Sequence, residues 1–184
     1  MNEIERLRNQ IDSIDNEILN LLAERRDCAV KIGHLKDRLR SSPSSKGIGA
    51  YDPVRETEII EKLKSTGAGF PANGIEAVFR EIISLCRNTA HRASVFLLCD
   101  SMELKYTALE VLGHCCEYFN CLTQTEFLEK LTENEFNIGF LYEADTSEYA
   151  LQTLSQSGFA VKTSFMVSDK ADGSLKKVNL IAHD

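Results

Sequence analysis

From Ile4 onward, apolar residues recur at alternating spacings of three and four: Ile4, Leu7, Ile11, Ile14, Ile18, Leu21 and Cys28, with Leu22, Ala29, Ile32, Leu35 and Leu39 widening the stripe. That period belongs to one face of an α-helix, and no proline interrupts it before Pro43, so the spacing predicts a single helix over about 3–40. At 1.5 Å per residue such a helix is roughly 55 Å long, more than a compact domain of this size contains. Its apolar face needs a partner along the whole length. A second copy of the chain, packed as an antiparallel or intertwined helical dimer, supplies one.

Pro43, Gly47 and Gly49 break the helical pattern and predict a flexible connection over 41–49. Asp52 followed by Pro53 has the chemistry of an N-cap and a first helical residue, and a second helix is expected from there to about Ser65, stopped by Gly67 and Gly69. Asn73 with Glu76 three residues on resembles a capping box. It opens a third helix that turns Ile75, Val78, Phe79, Ile82 and Ile83 inward and ends near His91.

After residue 92 the rhythm changes. Short apolar runs at Ser94–Cys99, Glu117–Cys121, Asn137–Tyr142, Ala160–Val167 and Lys177–Ala182 predict strands, and Leu104–Leu112, Thr125–Asn134 and Ser147–Ser157 predict helices between them. The fold class expected is therefore α followed by α/β: three helices over 1–92, then a small α/β domain over 93–184 with a mostly parallel sheet.

The charge is divided along the same line. The formal net charge is -7, but residues 1–92 carry 15 Lys and Arg against 14 Asp and Glu, while residues 93–184 carry 6 against 14. Every arginine lies at or before Arg92. An acidic chain is a poor nucleic-acid binder, and an anion site built on arginine forks must belong to the first half. No run of eighteen apolar residues occurs, and Asn2, Glu3, Glu5 and Arg6 open the chain, so neither a membrane span nor a cleaved signal is expected and the cytoplasm is the default location. The six cysteines form no C-x-x-C pair, which favours buried reduced thiols over disulfides or zinc.

On the first helix Arg25 and Lys36 are eleven residues apart, about 20° apart in azimuth and roughly 16 Å apart along the axis, so their long side chains can close on one small ligand. Arg8 precedes Arg25 by seventeen residues, roughly 25 Å, and reaches such a ligand only from another chain. Each of these residues alone is more often a solvated charge on an amphipathic helix. Glu24, Arg26, Asp27 and Lys31 fit that description, Arg55 and Glu56 also suit a surface, and Asp52 suits a plain cap. Spacing leaves the ligand open.

The segment L-R-x-x-I-D-x-I-D-x-x-I-L-x-L-L-A-E-R-R from Leu7 to Arg26, followed by Gly33, Lys36, Y-D-P-x-R-E at Tyr51–Glu56 and F-R-E-I-I-S at Phe79–Ser84, resembles the all-helical chorismate mutases over residues 1–90. The resemblance implies three helices per chain in an intertwined homodimer with two sites. Arg8 donated by the partner and Arg25 then bind the two carboxylates of chorismate, Arg55 supports them, Asp52 and Glu56 address the hydroxyl, and Lys36 faces the ether oxygen. Cys86 stands where some members carry serine. The implied reaction, chorismate to prephenate, is a unimolecular rearrangement needing no nucleophile, cofactor or metal. It is accelerated by holding the folded conformer and by cations aimed at the breaking C–O bond.

Two departures accompany the resemblance. The family places Gln or Glu late in the third helix as a second partner for the ether oxygen, and Ala90 occupies that position; losing one preorganised donor typically costs on the order of a hundredfold in rate. Asn88 and His91 are turned roughly 200° and 100° from it on a continuous helix, so neither replaces it unless the helix end frays. The second half resembles, by position, the start of a prephenate dehydratase domain as in bifunctional mutase–dehydratases. Asp100–Tyr106 and Tyr142–Ser147 stand where that family has its glycine-rich and P-I-E-N-S segments, and the chain halts before the second lobe and its T-R-F motif. Residues 93–184 are accordingly expected to be a degenerate, truncated, non-catalytic relative of one lobe. Two functions follow: a chorismate mutase of aromatic amino acid biosynthesis, or a catalytically impaired protein that binds chorismate or prephenate or regulates the shikimate pathway.

Overall fold

The computed structural model describes residues 2–40, 51–67, 69–169 and 173–184. The long helix α1 runs Glu3–Arg40, as the apolar period predicts. Its start is fixed by a reciprocal pair: the Ile4 N–H donates to the Asn2 side chain at 2.7 Å, and the Asn2 N–H donates to Glu5 at 3.0 Å, satisfying donors the first turn leaves orphaned. The connection expected over 41–49 lies outside the described residues.

Helix α2 spans Pro53–Thr66, with Asp52 as the N-cap accepting from the Arg55 N–H and Gly67 at φ +69 closing the end. Helix α3 spans Ala72–Ala90. Its start differs from the expected capping box. The helix begins before Asn73, with Pro71, which has no polar side-chain atom, as its N-cap, and the Glu76 carboxylate bonds Arg80 at 2.8 Å and Lys64 at 3.3 Å instead of reaching back. Ile83, Ser84 and Cys86 are the buried residues of this helix, whereas Val78, expected to face inward, is 58% exposed.

All five strands and all three intervening helices expected after residue 92 are present: β1 Ser94–Leu98, α4 Met102–Leu112, β2 Glu117–Cys121, α5 Gln124–Thr132, β3 Ile138–Tyr142, α6 Glu148–Gln156, β4 Phe159–Ser168 and β5 Leu175–His183. The sheet order is β2-β1-β3-β5-β4. The sheet is mixed rather than mostly parallel. β1 pairs in parallel with β2 and β3, but β5 is antiparallel to both β3 and β4. Parallel neighbours need a long crossover, and the few residues between Ser168 and Leu175 permit only a hairpin return.

Two cores result, one on each side of the sheet. Val95, Leu97, Ile138, Phe140, Val178 and Leu180 pack against Leu104, Ala108 and Leu112 of α4, and Tyr51, which precedes α2, joins this cluster. Phe96, Leu98, Leu141 and Ile181 pack on the other face against Phe127, Leu128 and Leu131 of α5 and Leu154 of α6. Because both faces are covered, β1 reads as an unbroken apolar run.

The helical segment is less enclosed. Ile4, Leu7, Ile11, Ile14 and Ile18 are between 46 and 56% exposed, while Gly33 is buried, so α1 meets α3 along its C-terminal half only. None of the described helices is long and apolar enough to cross a membrane. The cysteines are unpaired thiols, but only Cys86, Cys116 and Cys121 are buried; Cys28 is exposed, since its position on the stripe faces outward in the single chain.

Candidate active site

The C-terminal half of α1, the first turn of α2 and the last turns of α3 enclose a cavity of about 300 Å³. Arg25 and Lys36 line it from α1, Asp52, Arg55 and Glu56 from α2, and Cys86, Arg87, Ala90 and His91 from α3 and its end. Six of the seven residues singled out from the sequence thus face one space. The seventh, Arg8, is exposed near the opposite end of α1 and lines no part of this cavity.

Each position follows from local structure. Pro53 presets the first turn of α2, and Asp52 caps it by accepting the Arg55 N–H at 3.0 Å. The Asp52 carboxylate therefore serves the fold as well as the pocket rim. Arg55 extends its guanidinium to Glu58 at 3.2 Å, both largely exposed. Arg25 reaches across to donate to the Ile82 carbonyl at 3.5 Å, which tethers the α1 wall to α3.

Glu56 is held differently. Arg87 donates Nε to Glu56 Oε1 at 3.0 Å and Nη2 to Oε1 and Oε2 at 2.8 and 2.9 Å, and the side chains are only 10% and 15% exposed. The Arg87 guanidinium also lies 5.3 Å over the Tyr51 ring. Burial pushes the Glu56 carboxyl above the usual glutamate range, and the Arg87 charge works against that rise. Burial likewise raises the Tyr51 phenol.

Arg87 and Tyr51 are the residues that sequence reasoning missed. Arg87 falls four residues after Ile83 and three after Ser84, on the buried stripe of α3; a charge in that register is the signal that a buried partner awaits it. His91 also enters the site. Helix α3 ends at Ala90 and His91 turns to an extended backbone, φ −144 and ψ 119, so the 100° offset of a continuous helix does not apply. Its ring stacks on Phe136 at 4.0 Å and fits against Gly33, where a Cβ would lie 2.6 Å from His91 Nε2. Asn88 points elsewhere, donating to the Cys115 carbonyl at 2.6 Å.

Three helices that converge four cationic side chains and two carboxylates on a pocket this size define a site for a small polar anion. Residues 7–91 match the chorismate mutase type II family. This N-terminal region is a chorismate mutase type II domain. Over 154 residues the chain is 31% identical to the bifunctional chorismate mutase/prephenate dehydratase of Aquifex aeolicus, covering 80% of this chain and 41% of that protein. It is 32% identical over 119 residues to the protein of the same name from Neisseria gonorrhoeae, covering 63% and 30%. It is also 38% identical over 58 residues to the chorismate mutase of Methanocaldococcus jannaschii, covering 32% and 52%. The chain thus spans about two-fifths of the length of the Aquifex relative. No solved structure is significantly similar to it.

Proposed function

We propose that this protein is a chorismate mutase that converts chorismate to prephenate in aromatic amino acid biosynthesis. The observation that carries the proposal is the shared pocket, in which Arg25, Lys36, Asp52, Arg55, Glu56 and Cys86 stand together within a region that matches the mutase family. Arg25 binds one carboxylate with Arg55 in support, Asp52 and Glu56 address the hydroxyl, and Lys36 faces the ether oxygen. Clamping the dianion selects the folded conformer, and the cation at the ether oxygen stabilises the charge that develops as the C–O bond breaks.

The second carboxylate goes to Arg8 of a partner chain in a homodimer. Two features support this: Arg8 lies far along α1 from its own pocket, and the apolar stripe from Ile4 to Ile18 is uncovered in the single chain. These five side chains are about half-exposed, so burying the remainder stabilises a dimer by roughly 0.7–1.5 kcal/mol each, several kcal/mol together. Within this proposal residues 1–92 are the mutase domain, residues 93–184 are a dehydratase-like unit without catalysis of its own, and the enzyme acts in the cytoplasm.

The second function is favoured by one observation, the Ala90 methyl on the pocket wall. It supplies no hydrogen bond to the ether oxygen, as a protein that captures chorismate without turning it over would require. An assay of the purified full chain for chorismate disappearance, beside calorimetric titration with chorismate, separates the two. Turnover supports the mutase. Tight binding without turnover supports the impaired binder, and neither binding nor turnover sinks both.

A further inference from the structure

The side of Arg87 that faces away from Glu56 is gripped by the sheet unit. Arg87 Nη1 donates to the carbonyl of Leu112, the last residue of α4, at 3.4 Å and to the thiol of Cys116, in the segment that joins α4 to β2, at 3.9 Å. The end of α4 and the segment after it meet α3 at three more points. Arg80 donates to the Val111 carbonyl at 2.9 Å, the His114 N–H donates to Glu81 at 2.9 Å, and Asn88 donates to the Cys115 carbonyl. Gly113, at φ +79, fits against Ser84 so closely that a Cβ would lie 2.7 Å from the Ser84 Cβ.

We propose that Arg87 is a positioning residue of the mutase pocket, acting through Glu56, and that the α4–β2 segment of the sheet unit holds it in place. The proposal rests on the chorismate mutase reading. Arg87 donates two hydrogen bonds to Oε1 but only one to Oε2, so Oε2 keeps an acceptor site for a ligand hydroxyl. The fork fixes where that oxygen points and opposes the upward shift that burial gives the carboxyl. The sheet unit then contributes to catalysis without touching the substrate.

Glu56 is flanked by other charges, and these set what a pH experiment reads. Arg25 and Lys36 face the pocket from α1, Asp52 and Arg55 from α2, and His91 from the end of α3; the Arg80 charge lowers the carboxyl and the Asp52 charge raises it. Removing Arg87 withdraws the principal charge that opposes desolvation of Glu56. The Glu56 carboxyl then takes up its proton at higher pH, and activity that needs the carboxylate is lost sooner on acidification.

The test measures kcat, KM and the pH profile of chorismate turnover in the full-length wild type, Arg87→Met, Arg87→Lys and Gly113→Ala. Arg87→Met is expected to lower kcat/KM about tenfold or more near neutral pH and to move the acid limb to higher pH. Arg87→Lys keeps the charge without the fork, so it is expected to lose rate with a smaller movement of that limb; it carries the test if the methionine variant does not fold. Glu56→Gln with Arg87→Met is expected to show no further movement of the limb relative to Glu56→Gln alone. Gly113→Ala, remote from the pocket, is expected to move rate and limb in the same direction as Arg87→Met. Folded Arg87 variants with wild-type rate and profile overturn the positioning role, and a folded Gly113→Ala with wild-type behaviour overturns the part played by the sheet unit. A wild type without turnover overturns the mutase reading itself, and the positioning role falls with it.

Discussion

Arg87 and Glu56 are joined by three N–H to oxygen contacts of 2.8 to 3.0 Å in a space that leaves the pair 10% and 15% exposed, and this pair ties the end of α3 to the first turn of α2. The Coulombic gain of such a pair is largely offset by the cost of removing both ions from water, so the pair need not add much net stability. Breaking it is another matter. Glu56→Ala leaves a buried guanidinium without its partner and is expected to cost about 3–5 kcal/mol. Replacing both, Glu56→Leu with Arg87→Met, is expected to cost clearly less than either single change. Urea denaturation of the two singles and the double closes the cycle; singles within about 1 kcal/mol of wild type contradict a desolvated pair.

Ala90 lines the pocket beside His91 and Cys86, so a longer side chain at that position projects toward the ligand. Ala90→Glu is expected to raise the chorismate mutase rate severalfold or more by adding a second partner for the ether oxygen. The readout is kcat at saturating chorismate, with the acid form of the new carboxyl the active donor, so the gain should grow as pH falls. An unchanged rate at every pH means that the ether oxygen is organised by other groups.

Gly33→Ala tests whether the α1–α3 crossing is as tight as its geometry indicates. Alanine in a helix interior is worth up to about 1 kcal/mol over glycine, so an open site would gain stability. Here the Cβ would meet His91 Nε2 at 2.6 Å, and the ring is backed by Phe136 in a stack at 4.0 Å, so it has little room to withdraw. Overpacking of this kind costs about 1–3 kcal/mol, and the net change is expected to be destabilising. A thermal midpoint equal to or above that of the wild type contradicts it.

How far the sequence foretold this structure depended on the range of the interactions. The α1 helix, the Asp52-Pro53 start of α2 and every strand after residue 92 follow from local period and capping, and they are present within a few residues of where those signals fall. What was not legible arises from contacts distant in sequence. The capping box at Asn73 fails because the helix begins before it and Glu76 bonds Arg80 and Lys64, and the sheet is mixed because a strand order is set by tertiary closure, not by the apolar runs themselves. The pocket followed the same rule. Arg25 and Lys36 stand out as a pair on one helix face, but Arg87 gains its significance only through Glu56, thirty-one residues earlier, and through the Leu112 carbonyl at the end of α4. A continuous helix turns His91 away from the pocket, and the helix stops one residue too soon for that.

In the proposed homodimer each site is shared between two chains, with Arg8 from one and Arg25 from the other. Arg8→Ala and Arg25→Ala are each expected to abolish most turnover in the homodimer. Co-expressing the two variants with different tags and purifying through both gives hybrid dimers in which one site has both arginines and the other has neither. About half the wild-type rate per hybrid dimer is expected, because one of two symmetric sites is restored. Hybrids as inactive as their parents would contradict it, since a site built within one chain is damaged in both halves of the hybrid.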